Sequence, residues 1–468
     1  MKYSYTLIFC WKVGEFFTAS ITRCIKVEII PVLKKENKEV NLKEFRYIIN
    51  KELWDIQNKT RLACNYAMNL QFNELMRKET EKKEFGSYKK DKELYGKTFE
   101  AWLENRMNEY MDGVLSNNVA STRQFVTSKT NFDPVKILKG ERTLATFKQD
   151  IPIFIHNKKF RIYINGNNDY EVEIRLFNLK KKKELGIGYV CFKLIKPDGN
   201  LKSTLNKLIS KEYKQGSAQI TYNKRKKKWL LTISFNFEPK VKVLDEHKIL
   251  GVDLGIVNTA TMSVYDEVKE QYEKMKWKER VINGTELIKY RQMLETIKIS
   301  KSSATKWSSA NKVGHGYKQR MSDANKSADK YERFRETYNH KISRYIVELA
   351  EKYDCGIIQM ENLSGFSDHQ SESLLKNWSY YDLQSKVKYK AEEKGIKVIL
   401  INPSYTSQRC SNCGCIDGNN RNCKEKQDRF ECVNCGFKEN ADINASKNIA
   451  IPDIDNIISQ QLYIQQKQ

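Results

Sequence analysis

Two Cys-x-x-Cys knuckles, Cys410-Ser-Asn-Cys413 and Cys432-Val-Asn-Cys435, stand about 18 residues apart near the end of this chain. Each is followed by a glycine, Gly414 and Gly436, which permits the tight turn a knuckle needs. Four thiolates at this spacing close a tetrahedral site, and zinc is the ion that suits it. Cys415 and Cys423 are spare, and either could replace a ligand on spacing alone. The other five of the eleven cysteines are scattered like buried small apolar residues. This is not a disulfide scaffold, and a reducing cytoplasm is expected.

Three acids form the second constellation. Ile249 to Asp253 reads as an apolar strand that ends on an aspartate, followed by a Gly-containing turn and a second strand from Ala260 to Tyr265. Cys355 to Glu361 is another apolar strand ending on an acid, and Asp442 opens a helix of small residues between Asn440 and Ala450. A single aspartate at a strand end is more often a cap than a ligand. Three carboxylates at the ends of separate elements, in the order Asp…Glu…Asp, instead describe a two-metal phosphodiester-cleaving site. Only five histidines occur, without a His-Glu-x-x-His pattern, so a hydrolytic metal would sit on oxygen ligands, as magnesium or manganese does.

The formal net charge is +25, which points to a polyanion partner, nucleic acid first, although a lysine-rich genome could leave the same mark. No run of about 18 apolar residues predicts a membrane span. Residues 1–20 are expected to be a leading segment, in part disordered, that precedes the fold; Lys12 and Glu15 interrupt its apolar patch, which makes it a poor signal peptide. Ile21 to Val32 is predicted as a strand. From Asn41, a candidate N-cap, helical spacing takes over, with Phe45, Ile49, Leu53, Ile56, Ala63 and Ala67 on one stripe. Phe99 to Val126 is predicted helical as well. After Gly140 six segments of period two, the last from Trp229 to Phe237, predict an antiparallel β-barrel that the Ile21 strand closes. Lysine clusters at Lys180 to Lys183 and Lys224 to Lys228 are expected on its loops, against backbone phosphates. Alternating strands and helices beyond Asp245 predict an α/β layered domain, with a Ser/Lys/Gly loop from Ser300 to Tyr317 inside its long helical region. The Gln-rich tail after Pro452 is expected to fray.

Gly251-Val-Asp253-Leu-Gly255, Met360-Glu361-Asn-Leu363, Tyr405-Thr-Ser-Gln-Arg409-Cys-Ser-Asn-Cys413-Gly and Asn440-Ala-Asp442-Ile-Asn-Ala-Ser446 resemble the RuvC nuclease motifs and zinc ribbon of the TnpB family and of its descendants, the miniature type V CRISPR effectors. The likeness is strong from about Ile249 to Ala450. In the first half, the helical insert and Lys139 to Ile155 are similar to the type V-F effectors. The resemblance implies an α/β, all-β and all-α multidomain chain. Its parts would be the first strand of a wedge-like barrel (21–40), a helical recognition lobe (41–139), the rest of the barrel (140–240), an RNase H-like RuvC domain (241–405), an inserted zinc ribbon (406–438), the final RuvC motif (439–452) and a tail (453–468). By the same resemblance Asp253, Glu361 and Asp442 would hold two magnesium ions, manganese being the alternative, and Cys410, Cys413, Cys432 and Cys435 one zinc. Arg409 would approach the substrate phosphate. The implied activity is guide-RNA-directed cleavage of both strands of a double-stranded DNA target beside a T-rich flanking motif, in a prokaryotic cytoplasm, by two chains around one guide. The alternatives are a transposon-encoded TnpB nuclease and a guide-dependent DNA-binding protein that does not cut.

Overall fold

The computed structural model describes residues 20–33, 41–131, 133–224, 226–239, 241–255, 257–308, 322–363, 380–421 and 428–465. The leading segment up to residue 19 and Cys423 lie outside the described residues. The chain divides into two compact units, Met1–Glu238 and Pro239–Gln468.

In the first unit, β1 (Ile21–Val32) leads to α1 (Leu42–Phe85). The side chain of Asn41 caps α1 by accepting from the Lys43 N–H at 3.0 Å, and Gly86 ends it in the left-handed conformation at φ 74°. At 1.5 Å per residue such a helix is about 66 Å long. Its apolar stripe packs with the short α2 (Asp91–Tyr95), α3 (Phe99–Tyr110) and α4 (Ser116–Thr130), and α5 (Pro134–Leu138) follows. The helix expected from Phe99 to Val126 is thus two helices, broken where Gly113 takes φ 88°.

The strands β2 (Ile153–Ile155), β3 (Phe160–Ile164), β4 (Tyr170–Ile174), β5 (Val190–Ile195), β6 (Lys214–Asn223) and β7 (Lys228–Phe237) join β1 in one antiparallel sheet, in the order β2-β6-β7-β1-β5-β4-β3. This sheet is open, and the expected barrel does not close: among the described residues no ladder joins its edges, β2 and β3. Those edges are nevertheless consecutive in the chain, linked only through the 3₁₀ turn Asn157–Lys159, so they meet at one corner. There Gln215 Nε2 donates to the carbonyls of Asn157 at 2.9 Å and Phe160 at 3.1 Å, and a side chain does what a strand pair would do in a barrel. Lys180 to Lys183 lie on a helix rather than a loop, α6 (Leu179–Leu185), capped by Asn178 and ended by Gly186. Asp198 caps a further helix, α7 (Gly199–Ile209), which buries Leu205 and Leu208.

The second unit is built on a mixed sheet. The strands β8 (Asp245–Asp253) and β9 (Asn258–Asp266) form a hairpin, β10 (Gln271–Tyr272) and β11 (Val281–Asn283) pair with β9, and β12 (Cys355–Glu361) and β13 (Lys397–Ile401) run parallel to β8, giving the order β10-β9-β8-β12-β13. One turn of helix, α8 (Trp277–Arg280), precedes α9 (Thr285–Ser308), which is helical where the loop from Ser300 was expected to begin; the rest of that expected loop, 309–317, lies outside the described residues. On α10 (Ser322–Lys352), Ile342, Ile346 and Leu349 are buried, and Phe334, Tyr338 and Tyr345 pack against the same core. α11 (Tyr380–Glu393), α12 (Ala441–Ala450) and α13 (Ile454–Gln465) complete the unit. The tail is therefore helical through Gln465 rather than frayed, because Ile454 and Ile458 bury against Ile401, Ile416 and Ile449. No helix among the described residues is long and apolar enough to cross a membrane.

Candidate active site and thiol centre

The three acids converge through three different placements. Met360 on β12 lies level with Val252 on β8, so the next residues, Glu361 and Asp253, end neighbouring parallel strands, which run about 4.8 Å apart. Asp442 comes from the first turn of α12, where the Asn440 side chain accepts from the N–H groups of Asp442 and Ile443. That helix lies directly on β8, since a Cβ on Gly251 would meet Ala450 N and Ser446 O, each at 2.4 Å. Glycine is needed at Gly251 because backbone packs on backbone.

Electrostatics register the convergence. Burial, then the charges of Glu361 and Asp442, hold Asp253 well above the usual carboxylate range, against Arg421 and the Leu254 N–H. Burial also raises Glu361, opposed by the Thr406 hydroxyl and by Arg421. The phenol of Tyr380, at the start of α11, is raised by burial and then by Asp253 and Glu361, which puts it beside the pair. Each outer acid has a neutral partner. Thr406 Oγ1 donates to Glu361 Oε1 at 2.5 Å, and Asn258 Nδ2 donates to Asp442 Oδ2 at 2.7 Å. Gln384 Nε2 donates to the Glu361 carbonyl.

The two arginines take unexpected positions. Arg409 is buried, with Nε donating to Gln461 Oε1 at 3.0 Å and Nη1 to Asn448 Oδ1 at 2.8 Å. It braces α12 and α13 instead of facing the acids, and the phosphate role expected of it does not fit this placement. Arg421 is the guanidinium at the acids, with Nη2 3.9 Å from Asp442 Oδ1. Its Nε is buried and has no hydrogen-bond partner among the described residues. No periodicity or spacing singled out Arg421, Asn258 or Gln384. Thr406 falls within the Tyr405 to Gly414 motif, where spacing alone gives it no role.

The thiols gather more tightly. Among the described residues, Cys410, Cys413, Cys432 and Cys435 are the group of three or more His, Cys, Asp or Glu whose ligand atoms all lie within 4.8 Å of one another. Cys410 Sγ is 3.8 Å from Cys435 Sγ, and Cys413 Sγ is 3.6 Å from Cys432 Sγ. A tetrahedron of sulfurs each 2.3 Å from a central ion has edges of about 3.8 Å, whereas a disulfide would bring two sulfurs to about 2.05 Å. The geometry fits an ion. Backbone N–H groups aim at the sulfurs: the Phe437 N–H lowers Cys435 to about 6, while burial drives Cys410 to about 12 against the N–H groups of Cys413 and Asn412. The β14 (Arg429–Glu431) and β15 (Lys438–Asn440) hairpin carries the second knuckle, and Phe430 is fully buried beneath it. Cys415 stands outside the set of four.

With this geometry in place, the chain can be set beside known proteins. It is 36% identical over 425 residues, 91% of its length and 97% of the relative's, to a protein of Sulfoacidibacillus thermotolerans named CRISPR-associated endodeoxyribonuclease Cas12f1. The chain belongs to the Cas12f1 family. A Cas12f1 of Syntrophomonas palmitatica is 34% identical over 69% of this chain and 70% of its own. The model of the Cas12f1-like TNB domain matches residues 380–449, which run from α11 across both knuckles into α12. A solved structure, described as a cryo-EM structure of the Cas12f1-sgRNA-target DNA complex, shares the fold. Its TM-score is 0.68 at 18% identity, covering 92% of this chain and 99% of that one. The multidomain arrangement of sheets and helices is therefore that of Cas12f1 proteins.

Proposed function

We propose that this chain is an RNA-guided DNA endonuclease of a type V-F CRISPR system, and that Asp253, Glu361 and Asp442 hold two magnesium ions, which manganese can replace. The observation that carries this reading is the convergence of three carboxylates from β8, β12 and α12 in a chain of the Cas12f1 family. Magnesium fits the donor set: hard oxygen ligands whose charges oppose one another favour a divalent cation between them. When bound, such ions generate a nucleophile from water at neutral pH and offset the charge of the leaving oxygen. Of the chain's own groups, Thr406 and Asn258 hold one oxygen each of Glu361 and Asp442, and Arg421 offers its charge to the scissile phosphate.

We read the second unit as an RNase H-like RuvC domain, since β10-β9-β8-β12-β13 places an antiparallel hairpin beside two parallel strands. The segment with the knuckles is its inserted ribbon, with one structural zinc on Cys410, Cys413, Cys432 and Cys435. The open sheet and helices of the first unit serve as wedge and recognition lobe. Guide RNA and target double-stranded DNA are the partners, in a prokaryotic cytoplasm, with two chains on one guide. Base pairing selects the target, while protein reads a short T-rich flanking motif and the duplex shape. Similarity over 91% of the chain to a Cas12f1 favours this reading over a transposon-encoded TnpB.

The test is to load the full chain with guide RNA and offer matched and mismatched duplexes with magnesium. Cutting of both strands of the matched duplex alone is expected. Guide-dependent binding without any cutting would favour the non-cleaving alternative.

A further inference from the structure

We propose that Thr406 is a positioning residue that ties the thiol centre to the acidic site and sets the affinity of that site for divalent ions. The inference rests on the reading of Asp253, Glu361 and Asp442 as metal ligands. Thr406 is only 1% exposed, four residues before Cys410. Its hydroxyl oxygen lies 2.5 Å from Glu361 Oε1 and 3.0 Å from the carbonyl of Pro403. A hydroxyl has one proton, and the charged acceptor at the shorter distance takes it. One oxygen of Glu361 is thereby held, and the second is left for an ion.

The backbone of Thr406 is itself fastened. Asn448 Nδ2 donates to the carbonyl of Thr406 at 2.9 Å and to that of Arg409 at 2.6 Å, and Asn444 Nδ2 donates to the Arg409 carbonyl at 2.8 Å. Asn444 Oδ1 accepts from the Ser411 N–H at 2.9 Å, inside the first knuckle. Both asparagines are fully buried and belong to α12, the helix that begins with Asp442. The segment from Thr406 to Ser411 is therefore a strut. One end holds Glu361, its middle is bolted to the helix that bears Asp442, and its other end enters the cysteine knuckle. Through it the ribbon fixes two ligands from different elements in a single frame.

A residue that orients a ligand this way changes metal affinity by roughly 10–100-fold when it is lost. The experiment uses the full chain loaded with guide RNA and titrates manganese by electron paramagnetic resonance, with zinc content and melting temperature measured alongside. Thr406→Val, which keeps shape and removes the hydroxyl, is expected to weaken manganese binding by about tenfold or more at unchanged zinc content. Thr406→Ser is expected to restore it. Should the valine variant fold poorly, Thr406→Ala is titrated in its place. Asp253→Ala is the control for the underlying reading. Loss of binding in Asp253→Ala with none in the Thr406 variants would overturn the positioning role alone. Unchanged binding in both would overturn the assignment of the acids themselves.

Discussion

The backbone nitrogen of Ala450 lies 2.4 Å from the point where a Cβ on Gly251 would stand. Helix α12 rests on β8 with no side chain between them, and the helix that bears Asp442 is thereby set beside the strand that ends in Asp253. The spacing of the two acids depends on a missing methyl group.

Gly251→Ala is accordingly expected to push α12 off the strand. Overpacking of this kind costs about 1–3 kcal/mol, and the displacement separates Asp442 from Asp253. Thermal melting and DNA cleavage of the variant should both decline. A variant that melts and cuts like the unsubstituted chain would mean that the helix has room to spare.

Much of this is legible in the sequence. The apolar runs ending at Asp253 and Glu361 mark strands buried on both faces, and the knuckles mark the thiol centre by spacing. What escaped is instructive. The lysines of α6 masked a capped helix, because charge runs look like turns when the Asn178 cap and Gly186 stop are not weighed. Gln215 bridges one corner of the open sheet, and no strand periodicity encodes such a side-chain contact. Arg409 was expected at the substrate and is found away from the acids, because its burial against Gln461 and Asn448 is a tertiary property.

Asp253 gives a pH dependence of definite sign. Its folded pKa is raised above the unfolded value, so between the two the folded chain binds more protons than the unfolded one. Without added magnesium, stability should fall as pH rises above 3.8, the carboxyl's ordinary value, and go on falling until the raised folded value is passed. Asp253→Asn removes the buried charge and should flatten this decline and raise the melting temperature at neutral pH. A variant less stable than the parent under those conditions would contradict the crowding of the three acids.

The thiol centre is checked by zinc content. The full chain is expected to carry a single zinc, Cys432→Ser to lose it, and Cys415→Ser to keep it, since Cys415 is outside the set of four. Loss of metal from Cys415→Ser by elemental analysis would redraw the ligand set.

The arginines should separate stability from chemistry. Arg421→Ala is expected to slow cleavage by roughly 100–1,000-fold, the scale for losing one preorganised charge-stabilising donor, at little cost in melting temperature. Arg409→Ala is expected to lower the melting temperature, because it empties a buried site and leaves Asn448 Oδ1 and Gln461 Oε1 without their donor. The reverse pattern would return the phosphate role to Arg409.

The most direct test is Asp253→Ala in the full chain, loaded with guide RNA and given matched duplex DNA and magnesium. Guide-dependent DNA binding is expected to persist while cleavage of both strands is lost. Cleavage at the parent's rate and magnesium concentration would show that the carboxylate at the end of β8 is no part of the catalytic centre.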